Sequence, residues 1–396
     1  MRVGNAFYFD HQATTPLDLR VSEEMSQSFE DSFGNPHSVD HAFGWRAAQA
    51  VETAAERIAR LIGADGDEII FTSGATEANN LALLGLARRA PKNGRRRILI
   101  GATEHKCILD IGRVLEEQLG FKVELLPVDH DGRIRIESLN HSIGDDVLFV
   151  SVMAVNNEIG TIADLRQISE ITSGVGAIFH CDAAQAPCSM DLTSIVDNVD
   201  LLSLSAHKMY GPQGMGVCYA RRDLHDRVEP LMYGGGQQNG LRSGTVPVHL
   251  CVGMGAAAAI LDPESAAAER EGLKRHRDKF VEGLMSLPLP IGLNGPQLGP
   301  ERHPGNANLC FQGFAAHDIL GALQPRLAAS TGSACSTGIP EPSHVLKAIG
   351  LSDINIDSSI RFSFGRWTTD TDVTEAINMI EDVLAKLNKE GLVSTA

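Results

Sequence analysis

Between residues 68 and 222 the sequence returns again and again to short apolar runs, with helical patterns between several of them. "EIIFTS" (68–73), "RILIGAT" (97–103), "KVELLPV" (122–128) and "VLFVSVMAV" (147–155) read as strands. So do "AIFHCDAA" (177–184), "VDLLSLSA" (199–206) and "MGVCYARR" (215–222). Helical spacing marks "RAAQAVETAAERIARLIG" (46–63), "GATEANNLALLGLARRA" (74–90) and "CILDIGRVLEEQLG" (107–120). Strands this short and continuously apolar are buried on both faces, and helices between them make parallel crossovers. The expected class is α/β, with a mainly parallel sheet sandwiched by helices. Ligands of such sheets lie beyond the carboxyl ends of the strands, so the chemistry is to be sought there.

After about residue 262 the texture changes. "PESAAAEREGLKRHRDKFVEGLMSL" (263–287) predicts a long charged helix, a Pro/Gly-rich passage follows, and a last helix falls near 370–390. The expected division is a large ligand-binding domain over 16–262. Residues 1–15 and 263–396 then form a smaller α+β domain, which carries a Ser/Gly-rich loop at about 328–343.

Charge and hydropathy exclude some classes of function. With 34 basic against 50 acidic residues the formal charge is −16, which disfavours non-specific binding to nucleic acid or anionic membranes. No run approaches the about eighteen apolar residues of a membrane span. "MRVGNAFYFDHQATTP" lacks a basic-then-apolar signal, and a reducing cytoplasm is the expected location. The seven cysteines are scattered and form no CxxC or CxxxxC pair, so neither a disulfide framework nor a metal site is expected. Cys218, Cys251 and Cys310 sit in apolar runs and read as buried hydrophobes. Cys335, in "STGSACSTGIPEPSH", sits among small turn-formers and reads as an available thiol.

Several chemical side chains fall just past strand ends. Gly74, Ala75 and Thr76 lie between a strand and a helix start, where free N–H groups and the helix dipole favour an anion. Thr76 either adds a hydroxyl to that site or serves only as the N-cap. Asp182 and Gln185 follow a strand in "HCDAAQAP", where the Asp either serves a ligand or caps a turn. Ser205, His207 and Lys208 end another in "LSLSAHKMYGPQGMG". A lysine emerging there either reaches the surface or, desolvated in a cleft, becomes a nucleophile. His105 in "GATEHKCI" either opens a helix or faces a ligand. A lysine, a strand-end aspartate and an anion cradle together fit pyridoxal 5′-phosphate, which needs a Schiff-base amine, an acidic partner for its ring nitrogen and a phosphate site.

The motifs make the fit specific. "ATTP" (13–16), "FGNPHS" (33–38), "FTSGATEANN", "TEHK" (103–106), "VNNEIG" (155–160), "DAAQ" (182–185), "SAHKMYGPQGMG", "GGGQQNGLRSGT" (234–245), "STGSACS" and "SSIRFSFGR" (358–366) occur in matching order. Together they resemble the NifS/IscS-like cysteine desulfurases of the class V aminotransferase superfamily. That resemblance implies the fold type I of pyridoxal phosphate enzymes and a homodimer.

It also implies roles. Lys208 would hold the cofactor, Asp182 its ring nitrogen, Gln185 its ring oxygen, and His105 would stack on the ring. Ala75, Thr76, Ser205 and His207 would bind its phosphate, with Thr245 reaching the phosphate of a neighbouring subunit. Asn35, Asn157 and Arg361 would hold the substrate, Arg361 clamping its α-carboxylate, with Asn157 also beside the cofactor. L-Cysteine would become L-alanine, with its sulfur passing to Cys335 as a persulfide for a protein acceptor. Iron–sulfur cluster assembly, tRNA thiolation and related sulfur trafficking all use such donors. His105 is the expected base for the Cys335 thiol. The alternatives are another class V pyridoxal enzyme, such as a selenocysteine lyase or an aminotransferase, and a non-catalytic sulfur-relay scaffold. Only a desulfurase needs Cys335 in a loop.

Overall fold

The computed structural model describes residues 2–91, 94–332 and 342–389. The chain opens with two short strands, β1 (Arg2–Val3) and β2 (Ala6–Tyr8), followed by helices α1 (Leu19–Asp31) and α2 (Ala42–Ile62). Helix α2 starts earlier than the alanine-rich pattern predicts, because His41 caps it by accepting from the Gly44 N–H. It stops at Gly63, whose φ of 82° ends the helix in the left-handed conformation.

Then come β3 (Ile69–Thr72), α3 (Ala75–Arg89), β4 (Arg97–Gly101), α4 (Lys106–Leu119) and β5 (Lys122–Leu126). Helix α5 (Ile136–Ser142), β6 (Val147–Ser151), α6 (Leu165–Gly174), β7 (Ile178–Asp182), β8 (Leu201–Ser205) and β9 (Gly216–Ala220) complete this part. The seven strands β3–β9 form one sheet in the order β3-β9-β8-β7-β6-β4-β5. Strands β8, β7, β6, β4 and β5 are parallel, and β9 runs antiparallel between β3 and β8. The sheet is therefore mainly parallel.

Alternation along the strands explains how it is covered on both faces. Ile98 and Ile100 of β4, Phe149 of β6 and Leu201 of β8 pack on one side with the apolar faces of α3 and α4. Their neighbours Leu99, Val150 and Leu202 pack on the other, with α2 and helix α7 (Val248–Ile260). Cys218 and Cys251 are buried in these two layers.

A third apolar cluster draws on both ends of the chain. It joins Phe7 and Phe9 to residues between Leu273 and Leu387. Its frame is helix α8 (Pro263–Met285), the antiparallel sheet β10-β11-β13 and helices α9 (Ala316–Leu323) and α12 (Asp370–Lys389). Strands β10 (Ile291–Leu293), β11 (Asn306–Phe311) and β13 (Ser359–Ser363) form that sheet, and Cys310 of β11 is buried. The short strand β12 (Leu327–Ala328) pairs with β2, while α10 (His344–Ala348) and α11 (Asp353–Asp357) precede β13. Residues 10–15 cross from this cluster to the large sheet: Asp10 bridges to Ser363, and Thr15 bonds to the carbonyl of His207.

Candidate active site

A cavity of about 620 Å³ opens at the carboxyl ends of the parallel strands. Its floor includes Asp182, the last residue of β7, and Ser205, the last residue of β8, with His207 and Lys208 just beyond. Ala75 and Thr76 line it from the start of α3, Arg361 from β13, and Gln185, His105 and Asn157 are also in its wall. Most of the residues singled out from the sequence thus meet in one place.

The anion cradle is the start of α3. Gly74, not Thr76, is the N-cap, with φ 151° and no side-chain cap bond, so the Thr76 hydroxyl is left for other partners. Gly216 of β9 lies against this turn so closely that a Cβ there would sit 2.6 Å from the Gly74 Cα. Glu77 bonds the Ser73 N–H and is paired with Arg242 at 2.8 Å, which fixes the first turn of the helix.

Among the described residues Lys208 has no carboxylate partner. Its Nζ donates to the main-chain carbonyls of Gln12 at 2.5 Å and Ala13 at 2.8 Å. Burial, then the Arg361 charge, lower its pKa from 10.5 to about 8, against the opposing pull of Asp10 and Asp182. The neutral, nucleophilic amine is thus far more accessible than for an ordinary lysine, at about a tenth of the population at pH 7. Burial also lowers His207 to about 4, so this imidazole, bonded to the Thr14 hydroxyl at 3.1 Å, is neutral.

Asp182 is 5% exposed and accepts from Asn79 Nδ2 at 2.8 Å and from the Ala184 N–H at 3.0 Å. Gln185 donates to the Gln12 carbonyl at 2.9 Å. His105 both lines the cavity and caps α4: its Nδ1 accepts from the Cys107 N–H at 3.2 Å. The two readings of this residue are not alternatives.

Arg361 is 4% exposed and already engaged. Nη1 donates to the Asn157 carbonyl at 2.7 Å, and Nη2 to Asp10 Oδ1 at 2.8 Å and the Ser330 hydroxyl at 2.9 Å. Ser330 and Gly332 stand close by, and Gly332 lines the cavity. Farther along, the Ser343 hydroxyl donates to buried Glu158 at 2.5 Å. Cys335 lies outside the described residues.

Two expected residues are not part of this cavity. Asn35 is exposed, and its side-chain oxygen accepts from the His37 N–H at 3.0 Å, so it serves its own turn instead of substrate held in this chain's cavity. Thr245 is likewise exposed and away from the cavity lining. Conversely, Gln12, Thr14, Asn79 and Cys107 line the cavity or bond to its key groups without having been singled out. Asn79 was open to discovery, because it lies one helical turn past Thr76 on the same face of α3.

The residues present fit pyridoxal phosphate. Asp182 is a buried carboxylate with two donors and room for a cationic N–H, the amine of Lys208 is held by two main-chain carbonyls, and a helix N-terminus stands ready for a phosphate. This set of groups at the carboxyl ends of the strands is that of a pyridoxal-phosphate enzyme of fold type I. The chain belongs to the aminotransferase class V family, whose model matches residues 7–375, and within it to the cysteine desulfurases. It is 45% identical over 386 residues to the cysteine desulfurase IscS of Rickettsia akari, covering 96% of this chain and 92% of the relative. A solved NifS-like protein superposes with a TM-score of 0.88 at 33% identity, covering 96% of this chain and all of that one. SspA, solved in complex with cysteine, gives 0.79 at 34% identity, with 92% and 100% covered.

Proposed function

We propose that the protein converts L-cysteine to L-alanine and transfers the sulfur to Cys335 as a persulfide, for delivery to a protein acceptor of the kind used in iron–sulfur cluster assembly. The observation that carries this reading is one cavity lined by Lys208, Asp182, Arg361 and the start of α3, with Gly332 in its wall only three residues before Cys335.

Bound there, pyridoxal phosphate supplies an electron sink for the substrate's bonding electrons. Lys208, with its lowered pKa, carries the cofactor and then moves protons beside it. Asp182 keeps a negative charge at the ring-nitrogen end, and Ala75, Thr76, Ser205 and His207 receive the phosphate. Gln185 serves the ring oxygen, and Asn157 and Arg361 orient the substrate, whose carboxylate meets the guanidinium. The Cys335 thiolate attacks the substrate sulfur; the C–S bond breaks as the S–S bond forms, and the alanine carbon takes up a proton. Thr245, exposed and apart from its own cavity, serves the phosphate of a second subunit in a homodimer. A cytoplasmic location accords with this use of a free thiol.

Cys335→Ser decides the mechanism. The variant keeps its cofactor but releases no sulfide from L-cysteine, whereas the wild type incubated with L-cysteine gains one sulfur on Cys335 by intact-mass and peptide analysis. Sulfide release at the wild-type rate by the variant rules out the persulfide.

A further inference from the structure

Glu158 takes no part in the reaction described above, yet it is 3% exposed, and a carboxyl group is costly to bury without partners. Its Oε2 accepts from the Ser343 hydroxyl at 2.5 Å. The other neighbour of that hydroxyl fixes its role. The Leu346 N–H at 3.1 Å can only donate, so Ser343 accepts there and turns its one hydrogen to Glu158. The same carboxyl oxygen crowds Gly332: a Cβ added there would stand 3.3 Å from it, and the φ of 88° favours glycine.

Gly332 and Ser343 flank the stretch of sequence that holds Cys335. Both flanks are thus brought to one side chain, and each goes on to groups around the cavity. On the near side Ser330 exchanges two main-chain hydrogen bonds with Arg361, at 3.2 and 2.7 Å, and its hydroxyl accepts from Nη2 at 2.9 Å. Arg361 Nη1 donates to the carbonyl of Asn157, the residue before Glu158. On the far side His344 Nε2 donates to the carbonyl of Glu104, the residue before His105, at 2.9 Å. Val345 and Leu346 of α10 pack with Ile159, the residue after Glu158. Ser330, Arg361, Asn157, Glu158 and Ser343 therefore make a continuous belt, joined by hydrogen bonds and one peptide link.

We propose that Glu158, through Ser343, is a positioning residue for sulfur transfer, because it ties the chain after Cys335 to the wall that holds the substrate. This rests on the desulfurase reading and adds to it. A thiol carried on a stretch tied at both ends meets the substrate sulfur at a higher effective concentration than one tied at a single end. Glu158 is not among the residues that line the cavity. Its loss therefore leaves cysteine binding alone and slows the step in which the S–S bond to Cys335 forms as the C–S bond breaks.

The test is single-turnover sulfur transfer in cofactor-loaded enzyme. Cysteine binding is read from the change in cofactor absorbance on mixing, and sulfur on Cys335 from peptide mass after rapid quenching. Glu158→Leu forms the persulfide about fivefold more slowly at unchanged cysteine affinity, the scale of one lost hydrogen bond. Glu158→Gln, whose amide oxygen still accepts from Ser343, keeps the wild-type rate. Ser343→Ala slows the step too, and also loses the cap of α10. Adding Glu158→Leu to it slows transfer no further, because the pair acts as one. An unchanged rate in Glu158→Leu overturns the proposal, even where its thermal midpoint falls. So does a Glu158→Gln enzyme as slow as Glu158→Leu, a double variant slower than Ser343→Ala, or a loss that shows only as weaker cysteine binding. A wild type that gains no sulfur on Cys335 sinks the desulfurase reading itself; one that gains it at the rate of the variants sinks the tether alone.

Discussion

Arg361 and Asp10 form an ion pair in the cavity wall, Nη2 to Oδ1 at 2.8 Å, with side chains 5% and 18% exposed. They are 351 residues apart in sequence. The guanidinium is thus aimed before any substrate arrives, with both Nη2 hydrogens committed to Asp10 and Ser330. Its charge is matched from behind, which spares the fold an unpaired buried cation.

Arg361→Lys keeps the charge and loses the planar fork. We expect kcat/KM for L-cysteine to fall roughly 10- to 100-fold, mostly through KM, in steady-state alanine formation. A KM within twofold of the wild type would show that the carboxylate is held elsewhere.

Asp10→Asn leaves Arg361 buried without its counter-ion. The thermal midpoint of the cofactor-loaded protein should drop by several degrees relative to wild type. An unchanged midpoint in calorimetry contradicts the structural weight given to this pair.

Lys208 predicts a pH effect in cofactor-free protein. Its folded pKa of about 8 lies below the ordinary 10.5, so between these values the unfolded chain binds more protons than the folded one. Stability should therefore rise with pH across that window, whereas below about pH 8 the whole cost of the buried charge is present. Urea unfolding at pH 7.5, 9 and 10 should show this gain in the wild type relative to Lys208→Met. Parallel curves for the two proteins count against it.

The buried histidines act at the other end of the scale. Burial lowers His11 and His180 to about 4 and His303 to about 3, all below the ordinary 6.5. The unfolded chain takes up protons first as pH falls, so stability should be intact above about pH 6.5 and decline progressively toward pH 4. Urea midpoints that stay level between pH 7 and pH 5 exclude this.

Gly216→Ala addresses the phosphate cradle. The new Cβ would meet the Gly74 backbone at 2.6 Å, and main chain cannot swing aside as a side-chain tip does. The variant should fold but release its cofactor far more readily, as read by the 400-nm-region absorbance surviving gel filtration. Full retention would mean that the turn has slack.

The chemistry at strand ends was legible in the sequence because strand, charge and function coincide there. Lys208, Asp182 and Arg361 each follow or occupy an apolar run, and a charged group so placed has few reasons to exist. The large sheet was legible for the same reason, including all seven of its strands. What stayed hidden depends on contacts between distant segments. Asp10 looks like one more polar residue near the N-terminus until β13 brings Arg361 against it. Cys107 sits two residues after His105, a visible neighbour, but only the packing of α3 against α4 puts Asn79 behind it. Asn35 was singled out by its motif alone, and within the chain its side-chain oxygen accepts from the nearby His37 N–H.

The antiparallel strand β9 has one more effect. Ser205, the last residue of β8, and Gly216, the first of β9, are register partners, so residues 206–215 form a loop closed by the sheet itself. Lys208 sits inside that loop. Ordering a backbone costs about 1–2 kcal/mol per residue, and here the cost is met when the sheet forms. The lysine's surroundings are therefore rigid in advance, and cofactor can load and substrate can displace it without reordering the chain that carries the amine.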